Sequence, residues 1–278
     1  VVNIDGNTGI IAHVGYPTAS FKAPLIYNPY FTSIGINAAV IPMGVKAGDF
    51  QHALPLIMRM SNVHGALITM PHKVSVVSLL DEVSTAVSIA GSCNAVRCSP
   101  DGRLVGGMFD GEGFVRGVLR KGARLAGTSA LVVGAGGVGS AIAASLAAQG
   151  LARIDLFDTN GASAEGLMMR LCRHYPEIDI RTGSNDPAGF DLVVNATPLG
   201  MQDGDPLPFD VERLAPATVV GEVVMKQEMT PLLRAAEARG CRIQRGIDML
   251  YEQIPAYLEF FGFPSTTPEH LRALSGRV

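Results

Sequence analysis

Three glycines mark where this chain can do chemistry. In Gly134-Ala135-Gly136-Gly137-Val138-Gly139, the glycines at 134, 136 and 139 keep the spacing of a turn that cradles a pyrophosphate. The first allows a tight turn, the second lets the backbone approach the phosphates, and the third lets a helix pack closely on a strand. Free N–H groups and the dipole at the start of that helix favour an anion. The context fits: 130–133 is apolar and strand-like, 141–148 is a small-residue helix, and 153–157 is a second strand ending in Asp158. Asp158 lies 19 residues beyond Gly139, near the spacing of a carboxylate that accepts from a ribose 2′-hydroxyl. Such a carboxylate repels a 2′-phosphate, and 158–160 holds no Arg, so the expected dinucleotide is NAD rather than NADP. Asp158 also has a structural reading, as the cap of the following helix.

The composition bounds the rest. At 278 residues, 47% hydrophobic and 17% charged, the chain can fill about two domains. A net charge of −3 with no basic block gives no footprint for nucleic acid. Cys93, Cys98, Cys172 and Cys241 lack the spacing of a zinc site or a disulfide frame, so they read as thiols of a reducing, cytoplasmic compartment. No metal is expected. No secretory signal is read at the N-terminus, and no apolar run reaches ~18 residues, so no membrane span is expected.

Strand-like and helix-like stretches alternate, which predicts an α/β fold with a parallel sheet. Strands are expected at 9–14, 38–43, 65–68, 95–98, 104–108, 130–133, 153–157, 178–181, 191–195, 219–222 and 241–244. Helices are expected at 24–34, 50–60, 84–90, 111–121, 141–148, 162–174, 230–239, 246–261 and 268–275, with Pro255 kinking the long one. Residues 99–102 form a hairpin-like turn, and Pro42 hints at an edge strand. The loop after Asn195 falls at the carboxyl end of its strand, where ligands bind in open sheets.

Several motifs in joint order resemble the shikimate/quinate dehydrogenase family. They are Gly65-Ala66-Leu67-Ile68-Thr69-Met70-Pro71-His72-Lys73, Gly91-Ser92-Cys93-Asn94-Ala95, Gly107-Met108-Phe109-Asp110-Gly111, the glycine loop, Asn195-Ala196-Thr197-Pro198-Leu199-Gly200-Met201, and Met249-Leu250-Tyr251-Glu252-Gln253. The resemblance spans nearly the whole chain. It implies an N-terminal α/β substrate domain, a Rossmann-type NAD-binding domain, C-terminal helices that return to the substrate side, and an active site in the cleft between. The spans would be 1–106 with 247–278 for the first and 107–246 for the second. It implies a catalytic pair, Lys73 and Asp110, with substrate contacts at Asn94, Asp110 and Gln253 and Thr69 nearby. Thr197 and Met201 would line the cofactor side, and the pathway implied is aromatic amino acid biosynthesis.

The residue types suit that role. Oxidising a secondary alcohol needs a hydride acceptor and a base for the hydroxyl proton. A desolvated lysine can be that base, although a neighbouring carboxylate opposes the desolvation. Amides such as Asn94 and Gln253 offer both donors and acceptors to a polyol. Taken singly, each has a plainer reading. Lys73 would be a solvated helix start, Asp110 a cap, Asn94 a turn residue, Gln253 a surface helix residue and His72 a loop residue.

The N-terminal substrate motif departs from the family. Two serines that hold the substrate carboxylate are expected where Phe21 and Ala23 stand, in Gly15-Tyr16-Pro17-Thr18-Ala19-Ser20-Phe21-Lys22-Ala23-Pro24. Neither side chain can donate a hydrogen bond, and each missing partner would cost a buried carboxylate ~1–3 kcal/mol. Ser20 and Lys22 are the nearby candidates for a replacement anchor. Leu67, Met108-Phe109 and 222–227 depart as well, the last removing a tyrosine. The expected function is therefore NAD-dependent oxidation of a secondary alcohol on a cyclic hydroxy acid or related polyol, with altered anchoring. The expected partner is that small molecule, with no nucleic acid or membrane, and with a homodimer left open. The competing readings are a substrate without the carboxylate, and an NAD-bound sensor or partner-binding module with no turnover.

Overall fold

The structure, a computed structural model, describes residues 3–276, so the ends of the expected domain spans, 1–2 and 277–278, lie outside the described residues. The chain divides into two compact units, Val1–Phe109 with Ile254–Val278, and Asp110–Gln253.

The first unit holds β1 (Gly9–Gly15), α1 (Ala23–Ser33), β2 (Ala38–Gly44), α2 (Phe50–Met58), β3 (Val63–Ile68), β4 (Glu82–Val83), α3 (Thr85–Ala90), β5 (Ala95–Cys98) and β6 (Leu104–Gly107). Its sheet runs β2-β1-β3-β5-β6-β4. Strand β1 is buried along almost its whole length, as expected of a parallel strand covered on both faces. It pairs in parallel with β2 and β3, which brings their carboxyl ends together. Pro42 is tolerated because β2 is the edge strand. The expectation of a parallel sheet needs correcting here. Strand β5 pairs antiparallel with β6 through the hairpin turn expected at 99–102, which is too short for a crossover, and it also runs antiparallel to β3. In α1, Ile26, Tyr27, Tyr30 and Phe31 form one buried face. Ser84 caps α3 by accepting the Val87 N–H, and Gly91, at φ +64°, ends it in the left-handed conformation. After Lys73 the chain enters only a short 3₁₀ turn, Ser75–Leu79.

The second unit holds α4 (Asp110–Arg120), β7 (Ser129–Val133), α5 (Gly137–Ala147), β8 (Arg153–Phe157), α6 (Gly161–His174), β9 (Asp179–Thr182), β10 (Leu192–Asn195), β11 (Val219–Glu222), α7 (Pro231–Ala238), β12 (Arg242–Gln244) and the start of α8 (Gly246–Phe261). Its sheet, β12-β11-β10-β7-β8-β9, is parallel throughout. Counted from its own first strand, that order is the 3-2-1-4-5-6 of a doubly wound Rossmann sheet. Leu131, Val133, Val193, Val220, Leu232, Leu233 and Ala236 fill the core on one face. Helix α8 continues through Pro255. Its residues from Ile254 onward count with the first unit, which α9 (Pro268–Ser275) completes. No helix among the described residues is long and apolar enough to cross a membrane.

Candidate functional site

In the first unit, the chain leaves β3 into Thr69-Met70-Pro71-His72-Lys73 at the carboxyl end of the parallel strands. Three backbone bonds pin this segment. Thr69 N–H donates to Val14 O at 3.0 Å, Tyr16 N–H donates to Met70 O at 3.0 Å, and Cys93 N–H donates to Lys73 O at 2.7 Å. His72 is no loose loop residue: it is 1% exposed. Its ring stacks on Phe50 with centroids 4.0 Å apart, and its Nε2 meets Val45 O at 2.7 Å. A carbonyl only accepts, so Nε2 carries the proton. Lys73 follows at once and is half-buried.

Asn94 lies on the neighbouring loop and is 1% exposed. Its main chain joins two strands: Ile68 N–H donates to Asn94 O at 2.9 Å, and Asn94 N–H donates to Gly107 O at 3.0 Å. Its Oδ1 accepts the Phe109 N–H at 2.9 Å, which fixes the orientation of the amide. The Cys93 thiol beside it is pushed up to about 12 by burial, so it is an inert structural thiol. The first unit thus brings Thr69, Lys73 and Asn94 to one end of its sheet. Ser20 and Lys22 are exposed, Lys22 at the N-cap of α1 with no capping bond from its side chain. Phe21 is only half-exposed, because its ring stacks on the imidazole of His13.

In the second unit, the glycine loop joins β7 to α5. Gly134 adopts φ +104°, and a Cβ there would stand 2.8 Å from the Ala196 carbonyl. A Cβ on Gly139 would stand 1.9 Å from Gly134 O, so helix and turn touch through that glycine. A Cβ on Gly136 would meet nothing within 4 Å, so its backbone faces open space. Gly136 is also the N-cap of α5 and supplies no capping side chain. Val138 is half-buried, while Gly136 and Gly137 are exposed. Asp158 closes the loop from β8: its Oδ2 accepts the Ala135 N–H at 2.7 Å and its Oδ1 accepts the Asn160 N–H at 2.8 Å. The cap of α6 is Asn160, not Asp158. These features fit a dinucleotide: an approachable backbone, an uncapped helix start and a carboxylate at the end of β8. Gly134, Ala135, Gly136, Gly137, Val138, Gly139 and Asp158 are the residues that would hold it.

The loop after β10 completes that edge of the sheet. Asn195 is fully buried, accepts from Thr197 Oγ1 at 2.6 Å, and donates to Leu199 O at 3.0 Å. Thr197 is thereby fixed, and Met201 beyond it is exposed. Asp110 heads α4 and is 5% exposed. Its helix packs against α5 so closely that a Cβ on Gly111 would stand 2.0 Å from Ala141 O. One turn on, a Cβ on Gly113 would stand 2.6 Å from the Gln253 Cβ. Gln253 therefore packs, through Gly113, on the helix that Asp110 heads. Gln253 Oε1 is buried with no hydrogen-bond partner, an acceptor held back from the protein's own network.

Two groups escaped the reading of the sequence. His13 is 9% exposed, and its Nδ1 is buried without a partner. Burial first, and the Lys73 charge second, push it down to about 4. Glu222, at the end of β11, is fully buried. It accepts from Thr230 Oγ1 at 2.8 Å through one oxygen and leaves the other unpartnered. Burial raises it to about 7 despite that bond. The signal for both was a polar residue in an apolar strand. Among the described residues no group of three or more His, Cys, Asp or Glu could hold a metal ion, and the four cysteines are free thiols.

The family model for the shikimate dehydrogenase substrate binding domain matches residues 14–96. A shikimate dehydrogenase (NADP(+)) of Rubrobacter xylanophilus is 34% identical over 281 residues, covering 99% of both chains. Among solved structures, shikimate 5-dehydrogenase of Listeria monocytogenes, in complex with shikimate and NAD, matches at a TM-score of 0.91 with 25% identity, covering 98% of both chains. The ligand-free 5-ketofructose reductase of a Gluconobacter species matches at 0.89 with 25% identity, covering 98% of this chain and 99% of that one.

Proposed function

We propose a reaction on one premise: the chain belongs to the shikimate dehydrogenase family. It is an oxidoreductase acting on the CH–OH group of a shikimate-like substrate with a nicotinamide dinucleotide. When bound, the nicotinamide supplies the hydride acceptor, and everything else falls to side chains of this chain. Lys73 takes the hydroxyl proton. Asp110 accepts from the Lys73 amine and then from the ammonium that forms, and so orients the base against that hydroxyl. Asn94 and Gln253 hold the neighbouring hydroxyls, the latter through its spare Oε1, with Thr69 beside them. Thr197 and Met201 serve the nicotinamide side. Ser20 and Lys22 are both exposed.

The observation that carries this reading is the seating of Asp110 on the first turn of α4, in contact through Gly111 with the helix that follows the glycine loop. That contact ties the helix headed by Asp110 to the helix whose N-terminus would hold the dinucleotide's pyrophosphate. We further propose NAD as the preferred cofactor. Asp158 supports this, because its charge favours a free 2′-hydroxyl, although the Rubrobacter relative is named for NADP(+).

The test is NADH formation by absorbance with shikimate, quinate and a panel of cyclic polyols. Lys73→Ala should lower kcat by about 10²–10⁴, the usual worth of a positioned base, and leave NAD affinity unchanged. Unchanged turnover in that variant would remove Lys73 as the base, and tight NAD binding with no turnover across the panel would overturn the reading in favour of a sensor.

A further inference from the structure

The aromatic residue that displaces the expected serine does not point into solvent. Phe21 lies against His13, with ring centroids 4.1 Å apart and planes 26° from parallel. His13 and Gly15 share a face of β1, since side chains alternate along a strand. A Cβ on Gly15 would stand 2.4 Å from Thr69 Cγ2 and 2.8 Å from Phe21 Cζ. Imidazole, phenyl ring and Thr69 therefore converge at the carboxyl end of β1, beside the segment that carries Lys73. His13 is more than nine-tenths buried, and its Nδ1 has no partner in the protein.

We propose that the His13–Phe21 stack is a specificity element that selects an uncharged, hydroxyl-bearing substrate end in place of a carboxylate. This rests on the dehydrogenase reading above and names the class of substrate for it. A neutral imidazole offers one donor and one acceptor, which matches a hydroxyl or a carbonyl. Burial and the Lys73 ammonium hold it neutral, near 4, so it supplies no positive charge at neutral pH. A phenyl ring supplies apolar surface for the C–H face of a sugar-like ring. From the two rings, a carboxylate brought to the same place would gain one imidazole N–H at most in exchange for its water, with the Lys73 charge already committed to the reacting hydroxyl. The two rings act together: the ring of Phe21 stacks on the imidazole, and the imidazole gives that ring a flat partner. The Gluconobacter neighbour of this architecture, at 25% identity, is named as a reductase of 5-ketofructose, a molecule that carries no carboxylate.

Shikimate and its methyl ester separate charge from shape. Both are offered to the NAD-loaded protein, and two quantities are read: kcat/KM from NADH absorbance, and Kd from titration calorimetry. The ester should be preferred about tenfold or more in both. The double variant Phe21→Ser/Ala23→Ser should reverse the ratio by a similar factor, with the Kd for NAD unchanged. His13→Leu should raise KM for the ester and leave kcat within about threefold, a split that general loss of folding would not produce. Equal or better use of shikimate by the wild type, a ratio indifferent to the double variant, or binding of neither compound would overturn the proposal. Turnover with the ratio reversed would defeat this selectivity alone. Ester-selective binding without turnover would defeat the dehydrogenase reading alone.

Discussion

Asp158 Oδ2 accepts the Ala135 N–H at 2.7 Å, so the carboxylate that would choose the cofactor also braces the turn that would hold it. The two duties can be separated. Asp158→Asn keeps one acceptor, for Ala135, gives up the exposed bond from the Asn160 N–H, and removes the charge that repels a 2′-phosphate. The ratio of kcat/KM for NAD over NADP should fall by about 10–100-fold, the worth of a hydrogen bond to a charged group, with little change in thermal stability. Steady-state rates with both dinucleotides check this. An unchanged ratio would remove Asp158 from cofactor choice.

Two glycines of one loop should respond in opposite ways. At Gly139 an added methyl meets the Gly134 carbonyl oxygen at 1.9 Å, whereas at Gly136 it meets nothing within 4 Å. Gly139→Ala should cost about 1–3 kcal/mol or more in stability. Gly136→Ala should leave the unfolding midpoint in place and weaken dinucleotide binding, because the methyl occupies the space the phosphates need. Thermal unfolding and an NAD titration on both variants distinguish the two.

His72 ties the segment that ends in Lys73 to Val45 and Phe50. His72→Phe keeps the stack and leaves the Val45 carbonyl without its donor. Stability should fall by about 1–3 kcal/mol, and kcat should fall while dinucleotide affinity holds, because the lysine is less firmly aimed. Unfolding curves and kcat measured side by side check both halves.

Glu222 makes stability depend on pH in an uncommon direction. Burial raises its folded pKa to about 7 from an ordinary 4.5. The folded state then binds more protons than the unfolded one between those values. Its favourable term is complete below about 4.5, shrinks as pH rises, and is lost by about 7. Denaturant midpoints should therefore decline from pH 5 to 7.5 in the parent and decline less in Glu222→Gln, which mimics the protonated acid. Parallel slopes would exclude Glu222 as the source.

Much of this was local and therefore legible in the chain itself. Glycine spacing dictates a turn because only glycine admits φ +104° at 134 or the close approach at 139. The second sheet follows from alternating apolar runs and small-residue helices. The replacement of the two serines by Phe21 and Ala23 is also plain in the sequence, as is the pairing of β5 with β6 through a short turn. What could not be read was the partner of each displaced group. His13 and Phe21 are eight residues apart on a strand and on the loop after it, and nothing in their spacing says that the rings stack. Glu222 read as a departure from a motif; only packing shows it buried beneath the cap of α7. The antiparallel pairing of β5 with β3 and the contact of Gly113 with Gln253 likewise join distant segments. Local backbone preference and periodicity act within a few residues, so they determined the elements and the dinucleotide loop. Burial, desolvation and ring contacts arise between segments far apart in the chain, so the environment of each polar group was decided only by the tertiary structure.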